Sequence, residues 1–370
     1  MRSLGLDARM IHHTGIGTYI RGLLQGFGQR RIARDWELTC YGIPGSFRGI
    51  PFFNFQTRSF DSKIYSLAEQ LRYAGVLKSC ELWHAPHYNI PYFKGKTKLV
   101  VTVHDLIHWI YRKDFFTPKQ AFYAGLMFRR VVDTADHIIA VSQNTARDLT
   151  RHFKADPKKI SVIYESVGPD FRRQEVPQKF DEFKHRLQPP KKYFLYVGSL
   201  KPHKNVQTLL RVFRKLRRQG AIKNDLVIVG KKDRKYGAEL RDLETLQSGG
   251  GIWYYPEMAR EDLPGLYRAA TALVHLSLYE GFGLTLLEAM ACGTPVVASD
   301  RSSIPEIVGE AGILVDPLNE SQIEEVLQDL EHNPVLCSQL QHKGEERLSY
   351  FSWENTARQT LDVYEKVLAR

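Results

Sequence analysis

Short apolar, β-branched runs alternate along the chain with longer stretches whose apolar residues recur every three or four positions. In the first half the runs at 3–7, 36–41, 52–55, 81–84, 99–103, 136–141 and 159–164 predict strands. In the second half the runs at 193–198, 226–230, 252–255, 272–276 and 295–298 do the same. Helical periodicity falls between them, at 18–30, 64–77, 118–133, 206–218, 261–270 and 284–292, and after them at 319–332 and 334–348. Ser142 is placed to cap a further helix. An unbroken run such as LVVTV at 99–103 suits a strand covered on both faces. This alternation predicts an α/β fold with doubly wound parallel sheets. At 370 residues the chain exceeds one ordinary core, so two domains are expected: 1–170 and 193–351. A linker is expected over 171–192, and a last helix over 352–370, with Trp353, Leu361, Tyr364 and Leu368 spaced as a packing stripe.

One stretch, 280–316, carries the densest chemistry: EGFGLTLLEAMACGTPVVASDRSSIPEIVGEAGILVD. Glu280 and Glu288 bracket seven residues, Gly281 and Gly283 open a turn, and a helix follows. A glycine turn at the carboxyl end of a strand lets a ligand approach backbone N–H groups at a helix start, which suits a diphosphate. The turn at 199–205, SLKPHKN, puts Lys201, His203 and Lys204 at a second strand-to-helix junction, where a diphosphate needs cations. In the first half, Gly15 and Gly17 stand between the first strand and first helix, a weak signal because the third glycine of a dinucleotide fingerprint is missing. His104 follows a buried strand, pointing to the crevice where such sheets bind ligands. His108, Trp109, Tyr111, Arg112 and Lys113 fit acceptor contacts and ordinary packing equally well.

The run from Glu280, with Gly293-Thr294-Pro295-Val296-Val297, Pro305-Glu306 and 312–316 at matching spacing, resembles the E-x7-E signature of the retaining family 4 glycosyltransferases. The resemblance extends over nearly the whole chain. It implies the GT-B fold, two Rossmann-like domains facing across a cleft, with the donor in the second domain and the acceptor entering from the first. It also implies that the last helix returns to pack on the first domain. By resemblance, Glu280 bonds the donor sugar, Glu288 the ribose, and Gly281, Phe282, Gly283, Leu284 and Thr285 meet the sugar and diphosphate. Lys204 matches the family's diphosphate lysine, and His104 a histidine beside the sugar's reactive region. Gly15 and Gly17 match the N-terminal glycine loop, which closes over the diphosphate. Many members carry an arginine where Ser199 stands, so Lys201 or His203 would supply the second cation. Pro256 stands where relatives commonly have a glycine beside the base. The loop LKPHKN is similar to that of bacterial mannosyltransferases of surface polysaccharides, so the expected donor is GDP-mannose, with UDP-sugars open.

Composition and charge limit the partners. No apolar run reaches the roughly 20 residues that span a bilayer, and MRSLGLDARM has no signal-peptide core, so a cytoplasmic protein is expected. Cys40, Cys80, Cys292 and Cys337 are scattered, which excludes a disulfide framework or zinc spacing. The net charge of +11 is uneven: through Asp170 there are 24 Lys+Arg and 14 Asp+Glu (+10), against 28 and 27 (+1) beyond it. A basic first half fits an anionic membrane face through Arg21, Arg30, Arg31, Lys113, Lys119, Arg129 and Arg130, or merely a well-solvated domain. Nucleic-acid motifs are missing. No metal and no cofactor beyond the nucleotide-sugar donor are expected; the acceptor is expected to be a saccharide, lipid-linked in many relatives. The competing readings are a GT-B epimerase or phosphorylase, whose extra acid–base residues or cofactor lysine are not evident, and a non-catalytic basic binding module.

Overall fold

In the computed structural model the described residues are 1–30, 32, 35–43, 45–48, 55–64, 66–171, 186–232 and 251–370. The chain forms two compact units, Met1–Ser166 with Phe351–Arg370, and Val167–Tyr350. The expected strand residues 52–54, most of the expected linker and Arg31 lie outside the described residues.

The first unit is built on seven strands: β1 (Arg2–Asp7), β2 (Trp36–Gly42), β3 (Gln56–Ser59), β4 (Leu82–Ala85), β5 (Lys98–Val103), β6 (His137–Ala140) and β7 (Ile160–Val162). Their order is β3-β2-β1-β4-β5-β6-β7, and every pairing is parallel. The order reverses at β1, which pairs with β2 on one side and β4 on the other, so a crevice opens at the carboxyl ends of β1 and β4. The helices are α1 (Gly15–Gln29), α2 (Leu67–Leu77), α3 (Ile107–Ile110), α4 (Pro118–Thr134) and α5 (Gln143–Phe153). A capping box between Thr117 and Gln120 starts α4, and Ser142 accepts from the Thr145 N–H to start α5.

Two apolar layers cover this sheet. Tyr73 and Leu77 of α2 pack with Met127, Phe128 and Val131 of α4 and Leu149 and Phe153 of α5 in one cluster. In the other, Ile20, Leu23 and Phe27 of α1 pack with Trp353, Val363 and Tyr364. These last belong to the C-terminal helix of the chain, Trp353–Leu368. Its contact with α1 needs glycine: a Cβ on Gly22 would lie 2.1 Å from the Trp353 ring. The buried stripe of that helix is Trp353, Thr356, Ala357, Thr360, Val363, Tyr364 and Val367; Leu361 and Leu368 only flank it.

The second unit holds β8 (Tyr193–Val197), β9 (Asp225–Val229), β10 (Ile252–Tyr255), β11 (Ala272–His275), β12 (Val296–Ser299) and β13 (Ile313–Val315) in the order β10-β9-β8-β11-β12-β13, again all parallel. The order reverses between β8 and β11, so the second crevice lies at their carboxyl ends. Helices α6 (Val206–Arg218), α7 (Leu263–Ala269), α8 (Leu284–Ala291), α9 (Ile304–Val308), α10 (Glu320–His332) and α11 (Pro334–Leu348) cover it, so the helix at Trp353–Leu368 is α12. Among the described residues no helix is long and apolar enough to cross a membrane.

Candidate active site

In the second unit, the crevice residues come from two junctions. β11 ends at His275, a short 3-10 turn (Pro202–Lys204) leads from β8 toward α6, and Glu280 follows β11 before α8. The two loops are tied together, since the Leu278 N–H donates to the His203 carbonyl at 2.7 Å. Lys204 Nζ lies 2.5 Å from Glu280 Oε1, and His275 Nε2 lies 2.9 Å from the same oxygen. Ser277 Oγ is 3.1 Å from His275 Nε2. Burial pushes the Glu280 carboxyl up, but the Lys204 charge and the His275 hydrogen bond outweigh it and hold the group well below the usual carboxylate range. Glu280 is therefore an anion fixed by two donors on one oxygen.

The turn after it is braced from below. Ser302 Oγ donates to the Glu280 carbonyl at 2.6 Å, and Ser303 Oγ makes a three-centred bond to the carbonyls of Glu280 (2.9 Å) and Phe282 (3.1 Å). Gly283 is the N-cap of α8 at φ +113°, where a Cβ would also lie 2.8 Å from Leu286. No side chain caps this helix start. Gly281, Phe282, Gly283, Leu284 and Thr285 thus form the turn and the first residues of α8.

Glu288, one turn along α8, sits in the opposite electrostatic setting. Its Oε2 accepts from the Tyr267 hydroxyl at 2.9 Å. Burial raises its carboxyl above the usual range, against the lowering pull of Tyr267 and Arg260. Ser199 contributes its carbonyl to the Tyr196 hydroxyl at 3.0 Å. Lys201 is exposed, and its carbonyl accepts the Lys204 N–H at 2.9 Å. Of the predicted cations in this turn, the structure brings Lys204 to the glutamate.

In the first unit His104 follows β5. Its Nδ1 lies 2.9 Å from Glu165 Oε1 and its Nε2 3.0 Å from the Pro86 carbonyl. Both partners are acceptors, so both ring nitrogens carry hydrogen when the ring is charged. Burial alone would lower this imidazole, but Glu165 raises it above its ordinary value. The partner is Glu165, not the adjacent Asp105, whose Oδ1 accepts the Ile107 N–H at 2.9 Å. When charged, the ring has both N–H groups engaged and supplies charge and position rather than a proton-accepting nitrogen.

Gly15 and Gly17 were expected in a loop ahead of a helix at 18–30. The helix begins at Gly15, so both lie in its first turn. A Cβ on Gly15 would meet nothing within 4 Å, whereas one on Gly17 would lie 2.5 Å from the Ile11 carbonyl oxygen. Gly17 therefore serves its own loop. Trp109 packs on Phe153 with ring centroids 5.1 Å apart, and the Arg112 guanidinium lies 4.3 Å from the Trp109 ring, so these two belong to packing.

The crevice at β1 and β4 holds a buried network that the sequence did not disclose. Arg9 Nε donates to Asp7 Oδ1 at 2.9 Å, and its two terminal nitrogens reach Asp7 Oδ2 (2.5 Å), Tyr73 Oη (2.9 Å), Glu69 Oε1 (2.7 Å) and the Ser62 carbonyl (3.3 Å). Asn89 Nδ2 donates to the same Glu69 oxygen at 2.7 Å. His275, Ser303, Tyr267 and Glu165 were likewise missed, because each acts through a partner distant in sequence or hidden in a turn.

Two doubly wound parallel sheets with glycine-turn chemistry at the second switch point define the GT-B class of α/β proteins. Residues 14–171 match the sequence model described as Glycosyltransferase Family 4, and residues 177–347 that of Glycosyl transferases group 1. The chain belongs to this glycosyltransferase family. It is 29% identical over 307 residues (81% of the chain, 78% of the relative) to O-antigen chain mannosyltransferase B of Escherichia coli. It is 28% identical over 277 residues (74% and 72%) to O-antigen chain mannosyltransferase RfbU of Salmonella typhimurium. Its fold matches a sucrose-phosphate synthase from Thermosynechococcus elongatus with a TM-score of 0.77, 21% identity and full coverage of both chains.

Proposed function

We propose that this glycosyltransferase moves mannose from GDP-mannose to a saccharide acceptor, with retention of anomeric configuration and without a metal, in the assembly of a surface polysaccharide. The acceptor is carried on a lipid at an anionic membrane face. The observation that carries the reading is the Lys204–Glu280–His275 cluster at the switch point of the second sheet, beside the uncapped start of α8. The mannosyltransferase relatives support the choice of sugar.

In this reading Lys204 and the N–H groups at the start of α8 face the diphosphate, and Glu280 holds the sugar hydroxyls. Glu288 takes the ribose. The bond from the anomeric carbon to the diphosphate oxygen breaks with its electron pair leaving on oxygen. The acceptor hydroxyl attacks the same face, and its proton passes to the departing diphosphate oxygen. Positive charge near that oxygen stabilises the transition state more than the bound donor, which is the requirement for raising turnover.

Saturation-transfer NMR and calorimetry with GDP- and UDP-sugars test the donor. GDP-mannose is expected to bind and to turn over to an α-linked product. Preference for a UDP-sugar replaces the donor assignment. A β-linked product from an α-donor overturns retention, and dependence on free phosphate points to a phosphorylase.

A further inference from the structure

Among the described residues ten large apolar side chains are strongly exposed, and five of them gather on one side of the first unit. Leu67 (85% exposed) and Leu71 (81%) stand four positions apart on α2. Phe122 (75%) and Leu126 (46%) stand four apart on α4. That spacing puts each pair on one stripe of its helix. Phe93 (88%) belongs to the segment joining β4 to β5.

Hydrogen bonds show that these three segments are neighbours. Gln70 of α2 donates to the Ile90 carbonyl at 3.3 Å and accepts the Tyr92 N–H at 2.8 Å. Tyr123 of α4 donates to Asn89 at 2.8 Å, and the Arg130 guanidinium lies 4.8 Å from the Tyr92 ring centroid. Both helices bury their opposite sides in the same core cluster. The segment carrying Phe93 thus touches α2 and α4, and the apolar stripes stand on the outward side of the same layer.

Single exposed leucines need no explanation, but five large apolar groups on one face do. The stretch of chain that carries them is basic. From residue 61 to 136 there are eleven Lys+Arg and seven Asp+Glu, net +4, and one of those acids, Glu69, is buried against Arg9. Lys63, Lys96, Lys119 and Arg129 are exposed. Apolar side chains amid exposed lysines and arginines are the composition of a surface that enters the boundary of headgroups and acyl chains, with the long basic stems reaching back to lipid phosphates. A second copy of this chain in a two-fold pair would bring the same positive charge against itself. The face expected from sequence on the first helix is not available, because α1 is packed under α12 and Arg21 turns back onto the Ile11 carbonyl.

We propose that the face formed by Leu67, Leu71, Phe93, Phe122 and Leu126, with its surrounding lysines and arginines, docks the protein onto an anionic lipid leaflet by shallow insertion. It deepens the functional reading above, because it rests on an acceptor held at a membrane. The test is co-sedimentation of the full chain with vesicles of phosphatidylglycerol mixed with phosphatidylcholine, and with phosphatidylcholine alone. Binding is expected to the mixed vesicles, weakening with salt, and little to the neutral ones. L67Q/L71Q and F122Q/L126Q are each expected to lower partitioning by about tenfold or more, since interfacial binding scales with inserted apolar area. K96E/K119E is expected to lower it and to flatten the salt dependence. All six positions are exposed, so GDP affinity and thermal midpoint are expected to stay at wild-type values, separating docking from misfolding. Equal, negligible sedimentation with both vesicles overturns the proposal, as does binding that the apolar variants leave unchanged. A concentration-dependent dimer dissolved by the same variants also overturns it, in favour of a second copy. If the vesicle pattern holds while no nucleotide sugar turns over, the docking face stands and the transfer reading fails.

Discussion

Lys204 Nζ sits 2.5 Å from Glu280 Oε1, so the two groups assigned by resemblance to different parts of one donor form a partly buried ion pair with each other. This pairing makes the lysine's loss a double event. Removing one partner of a buried pair leaves the other charge uncompensated. His275 remains on the same oxygen and keeps Glu280 in place, but the largest pull lowering its carboxyl is gone.

Lys204→Ala is therefore expected to lower kcat/KM by about 100-fold or more, in line with loss of one preorganised electrostatic group. It is also expected to raise the pH of the acid limb of the kcat/KM profile, because the largest pull lowering Glu280 is gone while burial still raises it. A pH–rate series on the wild type and the variant measures both. Activity within about threefold of wild type, a loss far below that of an oxyanion-type donor, removes Lys204 from the diphosphate and turns attention to Lys201.

The contrast between Glu280 and Glu288 gives a second pair of outcomes. Glu280→Ala is expected to reduce turnover severely while leaving GDP affinity nearly intact. Glu288→Ala is expected to weaken the nucleotide itself by about 1.5–3 kcal/mol, the range for hydrogen bonds to a charged group. Tyr267→Phe removes the 2.9 Å bond that steadies the Glu288 carboxylate and is expected to weaken GDP progressively as pH falls. Calorimetric titration of GDP into the three variants resolves the split; equal losses at both glutamates contradict it.

His104 and Glu165 make a pH prediction of definite sign. The folded-state imidazole lies above its ordinary value, so folding is linked to keeping the proton. The pair's stabilisation is full below the unfolded value of about 6.5 and is lost as pH rises through the folded value. Glu165→Gln is expected to flatten this fall and to lower the His104 titration midpoint followed by NMR. His84 works in the other direction: burial, then the neighbouring His104, push it down to about 3. Its contribution is present above about 6.5 and is lost as pH falls toward the folded value. An unchanged His104 midpoint in Glu165→Gln contradicts the assignment.

What could be read from sequence follows what sequence encodes locally. Buried parallel strands such as Leu99–Val103 and Ala272–His275 announce themselves by unbroken apolar runs, because both faces are covered. β3 does not: QTRS at Gln56–Ser59 is an edge strand exposed at every position, and nothing in its composition asks for burial. α3 and α9 span four and five residues, too few for a period to show. At the site, Glu280, Glu288 and Lys204 were marked by motif. Their partners were not, since Tyr267 is 21 residues from Glu288 and Glu165 is 61 from His104. Arg9 was invisible for the same reason: its second carboxylate, Glu69, arrives from α2.

The first glycine turn gives the last prediction, because its two glycines have different reasons for being glycine. At Gly17 a Cβ would press on backbone, 2.5 Å from the Ile11 carbonyl oxygen and 2.9 Å from that of Met10. Backbone cannot swing away as a side-chain tip can, so Gly17→Ala is expected to destabilise the fold by about 1–3 kcal/mol, the usual cost of overpacking. At Gly15 a Cβ would meet nothing within 4 Å, and the residue sits at the first position of α1. Gly15→Ala is expected to leave the thermal midpoint unchanged or slightly higher, since alanine has fewer unfolded conformations to lose. A fall in kcat/KM for Gly15→Ala at unchanged stability then reports a ligand, or a step in turnover, that needs the open space over the start of α1. Full activity in Gly15→Ala withdraws that residue from the donor site. Normal stability in Gly17→Ala contradicts the packing argument and returns Gly17 to the ligand.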